Sequence, residues 1–495
     1  PVRSGDARVR PPKGVMSASA LAPSWLSVPL DLSDPSPADR PALFPASTVR
    51  SAEGPLEIAG VSVADLAQRY GTPLYVVDED ELRGRAAAFK RAYDEAFAPL
   101  CGGADVYYAG KVFLNTSVAR WVSEEGLRLD TASGGELAVA LAAGIDPANI
   151  GLHGNNKSDA ELERALTLGL GRIIVDSIDE LVRLAAMAAD RGLNANVMLR
   201  LTPGVHASTH DYIATAHEDQ KFGLSMHARA GQERSDAADA VALALAAERV
   251  TLLGLHCHIG SQIFEAAGFA EAARRLLAFL GEVKAEHGVE LPELDLGGGY
   301  GIAYTEQDTP SSPEQLAGEI AAVVGQAASE AGIAVPRISI EPGRAISGPA
   351  GITLYSVGVQ KDVEVDLDGG GTAPRRYVAV DGGMSDNARP VLYDADYSVL
   401  IASRPSDAAP MLSRVVGKHC ESGDIVVRDA YLPADLRRGD LLAVPATGAY
   451  CWSLASNYNY LPRPAVVAVR NGSSRVIVRG ETEADLLSRD AGPLA

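Results

Sequence analysis

Lys111 closes the run Tyr107-Tyr108-Ala109-Gly110-Lys111. A lysine is ordinarily a solvated surface charge, and its main chemical use is a Schiff base with an aldehyde cofactor. Two later clusters bear on that use: Gly297-Gly298-Gly299-Tyr300-Gly301 and Glu341-Pro342-Gly343-Arg344. Glycines let backbone N–H groups approach phosphate oxygens, and a guanidinium adds a bidentate charged contact. A glycine run alone serves a tight turn equally well. Pyridoxal phosphate requires an amine for its aldehyde, a cradle for its phosphate and a charged partner for its pyridine nitrogen. Lys111, the glycine loop with Arg344, and Glu341 are candidates for all three.

His256-Cys257-His258 raises a rival, because residues i and i+2 of a strand face the same way and two histidines can share a metal. The neighbouring segments supply Arg200 and glycines rather than further ligands, and an arginine repels a cation. We therefore expect no metal, with His258 lying against a cofactor ring and His256 packed or hydrogen-bonded beside it. The four cysteines, Cys101, Cys257, Cys420 and Cys451, lack CxxC spacing, which indicates neither a zinc cluster nor a disulfide scaffold.

The elements that must position these residues follow from periodicity. Short β-rich runs at Val106–Ala109, Leu127–Thr131, Ile150–His153, Ile173–Asp176, Val197–Leu201, Leu252–His258, Leu294–Leu296 and Ile338–Ile340 alternate with helical stretches such as Glu136–Ala143, Ala160–Leu170 and Ala267–Glu286. Eight strand–helix units predict a (β/α)8 barrel of the usual ~250 residues, whose active site lies at the C-terminal ends of the strands. Those ends carry Lys111, Asp130 with Ser133, His153 with Asn155, Asp176, Arg200, His258 with Ser261, the glycine run, and Glu341 with Arg344. After Ile346, Val/Ile/Tyr-rich runs such as Ile352–Val359, Tyr377–Val380, Ile425–Val427, Leu441–Val444, Ala465–Val469 and Val476–Arg479 predict a mainly β domain, which Thr72–Val77 is placed to join. The expected division is an irregular, Pro-rich extension over 1–50, a segment over 51–86 joining the β domain, the barrel over 87–346 and the β domain over 347–495. A net charge of −20 with no basic cluster argues against nucleic acid and anionic membranes as partners. No apolar stretch approaches the ~20 residues that span a bilayer. A small-molecule substrate and a cytoplasmic location are expected.

Eight ordered segments carry a resemblance: Tyr108-Ala109-Gly110-Lys111, Ala132-Ser133-Gly134-Gly135-Glu136-Leu137, His153-Gly154-Asn155-Asn156-Lys157, His258-Ile259-Gly260-Ser261-Gln262, Glu341-Pro342-Gly343-Arg344, Asp381-Gly382-Gly383-Met384, Cys420-Glu421-Ser422-Gly423-Asp424, and Tyr458-Asn459 before Arg463-Pro464. From about residue 50 to 480 the chain resembles the diaminopimelate decarboxylases, members of the alanine-racemase-like (fold type III) group of PLP-dependent decarboxylases. The family more often has Ala before the lysine, where this chain has Gly110. The resemblance implies covalent attachment of PLP at Lys111, His258 stacked on the ring, and Glu341 paired with the pyridine nitrogen. It implies cofactor contacts from Asp130, Ser261, Gly297, Gly298, Gly299, Pro342, Gly343, Arg344 and Tyr450, and substrate contacts from Arg344, Arg389, Tyr393, Glu421 and Tyr450. It further implies a homodimer with shared active sites, in which Cys420 and Glu421 reach the partner's barrel. Cys420 is then the candidate to protonate the carbon that loses CO2, since a thiol can act as a general acid. The implied reaction is decarboxylation of meso-2,6-diaminopimelate to L-lysine, the last step of lysine biosynthesis. Decarboxylation of ornithine, arginine or carboxynorspermidine on the same fold is the nearest alternative.

Overall fold

A computed structural model describes residues 18–29, 31–35, 43–51, 54–204, 220–368 and 370–492. Eight parallel strands close into a barrel: β1 (Ala104–Ala109), β2 (Arg128–Thr131), β3 (Ile150–Leu152), β4 (Arg172–Val175), β5 (Ala195–Thr202), β6 (Val250–His256), β7 (Glu293–Asp295) and β8 (Arg337–Ile340). Closure is made where Ile338 of β8 pairs with Ala104 of β1. All eight predicted runs are barrel strands, because each is a short apolar segment buried on both faces, as parallel strands under helices must be. The barrel interior also carries charge, signalled in the predicted runs only by isolated charged residues such as Asp130 and Asp295. Arg172 opens β4, is fully buried, and places Nη2 2.7 Å from Asp295 Oδ2 and 3.4 Å from Asp130 Oδ1. Its guanidinium lies 3.4 Å above the Tyr107 ring centroid.

Helices that follow the barrel strands start at serine caps. Ser133, Ser158, Ser177, Ser235 and Ser312 each accept a backbone N–H at a helix start, leaving fewer first-turn donors without partners. Ser133, at the end of β2, thus caps the helix Gly134–Ala142.

In the β domain the strand Gly351–Asp366 spans both halves of a curled sheet. Its first half pairs with Leu74–Asp78 and Leu441–Val444, and its second half with Thr372–Val380. Leu74–Asp78, all five residues buried, also pairs in parallel with Val466–Arg470. The early apolar segment therefore belongs to the β domain across the whole length of the barrel, as expected. In the expected irregular extension, residues 1–17, 30 and 36–42 lie outside the described residues. Of the rest, Leu32 is buried against Leu412 and Tyr431, and Phe44 joins the core that contains Leu74 and Ile352. Among the described residues no helix is long and apolar enough to cross a membrane.

Candidate active site

A cleft of about 1650 Å³ opens at the C-terminal ends of the strands, and loops of the β domain form its other wall. Lys111, His258, Ser261, Gly299, Glu341, Gly343 and Arg344 of the barrel line it with Arg389, Tyr393 and Tyr450 of the β domain. Lys111 is exposed in the turn Gly110–Val112 that follows β1. That turn is clamped from outside the barrel: Tyr450 N–H donates to Val112 O at 2.8 Å and Ser453 Oγ at 2.9 Å.

The glycines are where three loops crowd together. A Cβ at Gly298 would lie 2.2 Å from Glu341 O, and one at Gly297, where φ is +70°, would lie 2.2 Å from Cys257 O. Only a residue without Cβ allows the loops after β6, β7 and β8 this approach. Gly298 N–H donates to His258 Nδ1 at 3.1 Å, which fixes the ring as an acceptor at that nitrogen. Burial and then the nearby Lys111 and Arg200 charges hold the His258 pKa well below the usual imidazole range. A neutral ring follows. Pro342, buried in the same crowding, accepts Ala109 N–H at 3.3 Å and ties the loop after β8 to β1.

Glu341 is buried below the cleft. Its Oε1 shares a 3.0 Å hydrogen bond with His256 Nε2, and lies 3.3 Å from His153 Nε2 and 3.6 Å from Arg172 Nη2. Burial first, then Asp295, pushes the Glu341 carboxyl up to about 8. Asp130, beside it, meets the same burial, but His153 and Arg172 outweigh it and hold its pKa below the ordinary carboxylate value. Asp130 Oδ2 is buried without a hydrogen-bond partner. His153, His256 and Glu341 converge closely enough to hold a cation, yet the Arg172 guanidinium already stands beside that glutamate oxygen.

These features fit pyridoxal phosphate. A glycine cradle admits a phosphate, a neutral imidazole offers a face to an aromatic ring, and a buried carboxyl that reaches the cleft can meet a protonated ring nitrogen.

Arg344 donates through Nη2 to Ser261 Oγ at 2.9 Å and through Nη1 to the Tyr304 hydroxyl. Arg389 is buried and donates through Nη1 to the Tyr397 hydroxyl at 2.6 Å. Tyr304 and Tyr397 escaped the sequence reading, since nothing in Tyr300-Gly301-Ile302-Ala303-Tyr304 marks which tyrosine faces the cleft. Cys420 and Glu421 do not line the cleft of their own chain. Both are exposed on the loop after the strand Pro410–Val416, where Cys420 N–H donates to Asn459 Oδ1 at 3.0 Å. Asp424 accepts the His419 and Met384 N–H groups at 2.8 and 2.7 Å and sets that loop's shape.

A closed barrel with a lysine, a glycine cradle and a buried carboxyl at its mouth is the arrangement of PLP-dependent decarboxylases. The model of the pyridoxal-dependent decarboxylase family, pyridoxal binding domain, matches residues 81–348. The diaminopimelate decarboxylase of Mycobacterium tuberculosis is 51% identical over 452 residues, covering 90% of this chain and 97% of that one. The Bacillus subtilis enzyme of the same name is 46% identical over 437 residues, covering 88% and 95%. Among solved structures, the M. jannaschii diaminopimelate decarboxylase in complex with L-lysine superposes with a TM-score of 0.82 at 31% identity, covering 91% of this chain and 99% of that one. This chain belongs to the diaminopimelate decarboxylase family.

Proposed function

We propose that this chain removes CO2 from meso-2,6-diaminopimelate to give L-lysine, with pyridoxal phosphate held at Lys111. The observation that carries the reading is the pair Arg344 and Arg389, which line the same cleft as Lys111. Among the described residues no carboxylate forms an ion pair with either arginine. Ornithine presents only an ammonium at its far end, so its decarboxylase gains nothing from an arginine there. Diaminopimelate presents a carboxylate as well.

When bound, the cofactor supplies a covalent anchor for the substrate amine and a sink for the electron pair left as CO2 departs. The protein does the rest. Lys111 Nζ would hold the cofactor through its aldehyde. Ser261, the glycines 297–299, Gly343 and Tyr450 would hold the phosphate, Pro342 ties the loop after β8 to β1, and Asp130 stands with His153 and Arg172 on the Glu341 side of the site. His258 would lie against the ring, and its neutrality avoids a second positive charge there. Glu341 would pair with the ring nitrogen and keep it protonated. Arg344, Arg389 and Tyr393 orient the carboxylate that the substrate keeps. Cys420 Sγ gives the proton to the carbon that lost CO2, and Glu421 receives the far ammonium, both in the partner subunit's cleft. The functional unit is thus a homodimer, working in the cytoplasm.

The cofactor-loaded protein is to be tested for CO2 release from meso-diaminopimelate, ornithine and arginine in parallel. We expect turnover of the first alone. Comparable turnover of ornithine would mean that the fold is right and the substrate wrong.

A further inference from the structure

Arg344 and Arg389 come from different domains. Arg344 begins the short helix after β8, and Arg389 begins the helix Arg389–Tyr393 of the β domain. Tyr304, on the loop after β7, touches both. Its hydroxyl accepts from Arg344 Nη1, and the Arg389 guanidinium carbon stands 4.3 Å from its ring centroid. Tyr397 supports the arrangement from behind: its ring meets the Tyr304 ring edge-on at 5.1 Å, and its hydroxyl accepts from Arg389 Nη1 at 2.6 Å. Tyr304 is 5% exposed, and its backbone is stitched across the domain boundary. Tyr304 O accepts Ser398 N–H at 3.1 Å and Ser398 Oγ–H at 3.0 Å, while its own N–H donates to Asp308 Oδ2 at 2.9 Å.

Two cations placed together repel unless something between them spreads or neutralises the charge. An aromatic face attracts a guanidinium, and a phenol oxygen accepts from one, so one tyrosine does both. A phenol has a hydrogen as well as an acceptor oxygen. Among the described residues nothing accepts the Tyr304 hydrogen, and Tyr304 lines the cleft. Arg344 Nε is likewise buried with no partner. Beyond the bonds that Arg344 makes to Ser261 and Tyr304 and that Arg389 makes to Tyr397, the Tyr304 hydrogen and Arg344 Nε have no acceptor among the described residues.

We propose that Tyr304 couples Arg344 and Arg389 into a single receptor for the carboxylate that the substrate keeps, and donates its hydroxyl hydrogen to that carboxylate. Tyr304 is on this account a specificity-determining residue, and the proposal rests on the substrate reading above.

The test compares two ligands that differ only in this carboxylate. L-Lysine retains it and pentane-1,5-diamine lacks it. Calorimetric titration of each into the PLP-loaded full chain is carried out for wild type, Tyr304→Phe and Tyr304→Leu. Losing one charge-assisted hydrogen bond corresponds to roughly a tenfold to hundredfold loss of affinity. Tyr304→Phe is expected to weaken L-lysine by about tenfold and to leave the diamine within about twofold. It raises KM for meso-diaminopimelate more than it lowers kcat, and keeps the wild-type cofactor absorbance. Tyr304→Leu, which also removes the aromatic face under Arg389, weakens L-lysine further. Equal loss of both ligands in Tyr304→Phe would assign the side chain a structural role and overturn the proposal, as would unchanged L-lysine affinity. A wild type that makes no lysine from meso-diaminopimelate defeats the substrate reading and this proposal together. An active wild type with an unaltered Phe variant defeats this proposal alone.

Discussion

Glu341→Gln separates two demands on one side chain. The carboxyl must be charged to pair with a protonated ring nitrogen, yet the barrel mouth disfavours that charge when nothing positive has arrived. A carboxyl that ionises near 4.5 in the unfolded chain and is pushed up to about 8 in the fold contributes stability that is fully present below pH 4.5. That stability is lost as pH rises, by about 1.4 kcal/mol for each pH unit, to a ceiling of about 5 kcal/mol above pH 8. Glutamine has the same shape and no such titration. Cofactor-free wild type and Glu341→Gln should therefore have similar melting temperatures near pH 5, and the variant should melt at a higher temperature near pH 9. Adding PLP should reverse the order near neutrality, because wild type gains an ion pair that the variant cannot form. Thermal melting at several pH values, with and without cofactor, reads this directly. Parallel pH dependences of the two cofactor-free proteins would refute the claim that Glu341 stands in a pocket awaiting positive charge.

Lys111→Ala is expected to abolish decarboxylation and the visible absorbance of bound cofactor, and a borohydride-reducible link found at another lysine would contradict the assignment. Arg389→Leu should lower kcat/KM for meso-diaminopimelate about ten- to a hundredfold, the loss of one or more charge-assisted bonds, while PLP binding measured by absorbance is retained. Mixed dimers of Lys111→Ala and Cys420→Ala chains should regain activity that neither parent shows, since both lesions then fall in one shared site and the other is intact. Inactive mixed dimers, with both parents folded, would count against Cys420 acting across the interface.

The barrel was legible because its strands are short apolar runs separated by helix caps, and a run such as Ile338–Ile340 has little else it can be. The pairing of Thr72–Val77 with the β domain was legible for a related reason, as an apolar strand left over once the barrel was complete. Arg172 and Asp295 were not legible as partners. One opens an Ile-Ile-Val run and the other sits between two leucines, and only closure of the barrel brings them to 2.7 Å. Charged residues inside apolar runs were the available signal. Tyr304 and Tyr397 could not be singled out because their roles depend on the docking of two domains, which no local pattern encodes. Cys420 and Glu421 were singled out by the motif Cys420-Glu421-Ser422-Gly423-Asp424, and both are exposed on the β domain, outside the cleft of their own chain.

Decarboxylation of meso-diaminopimelate to L-lysine is open to direct product analysis. Purified protein is incubated with meso-diaminopimelate in the presence and absence of PLP, and L-lysine and CO2 are quantified together. The account predicts equal amounts of the two products, formed only with the cofactor; lysine absent from the PLP-loaded reaction, or CO2 released without matching lysine, would contradict it.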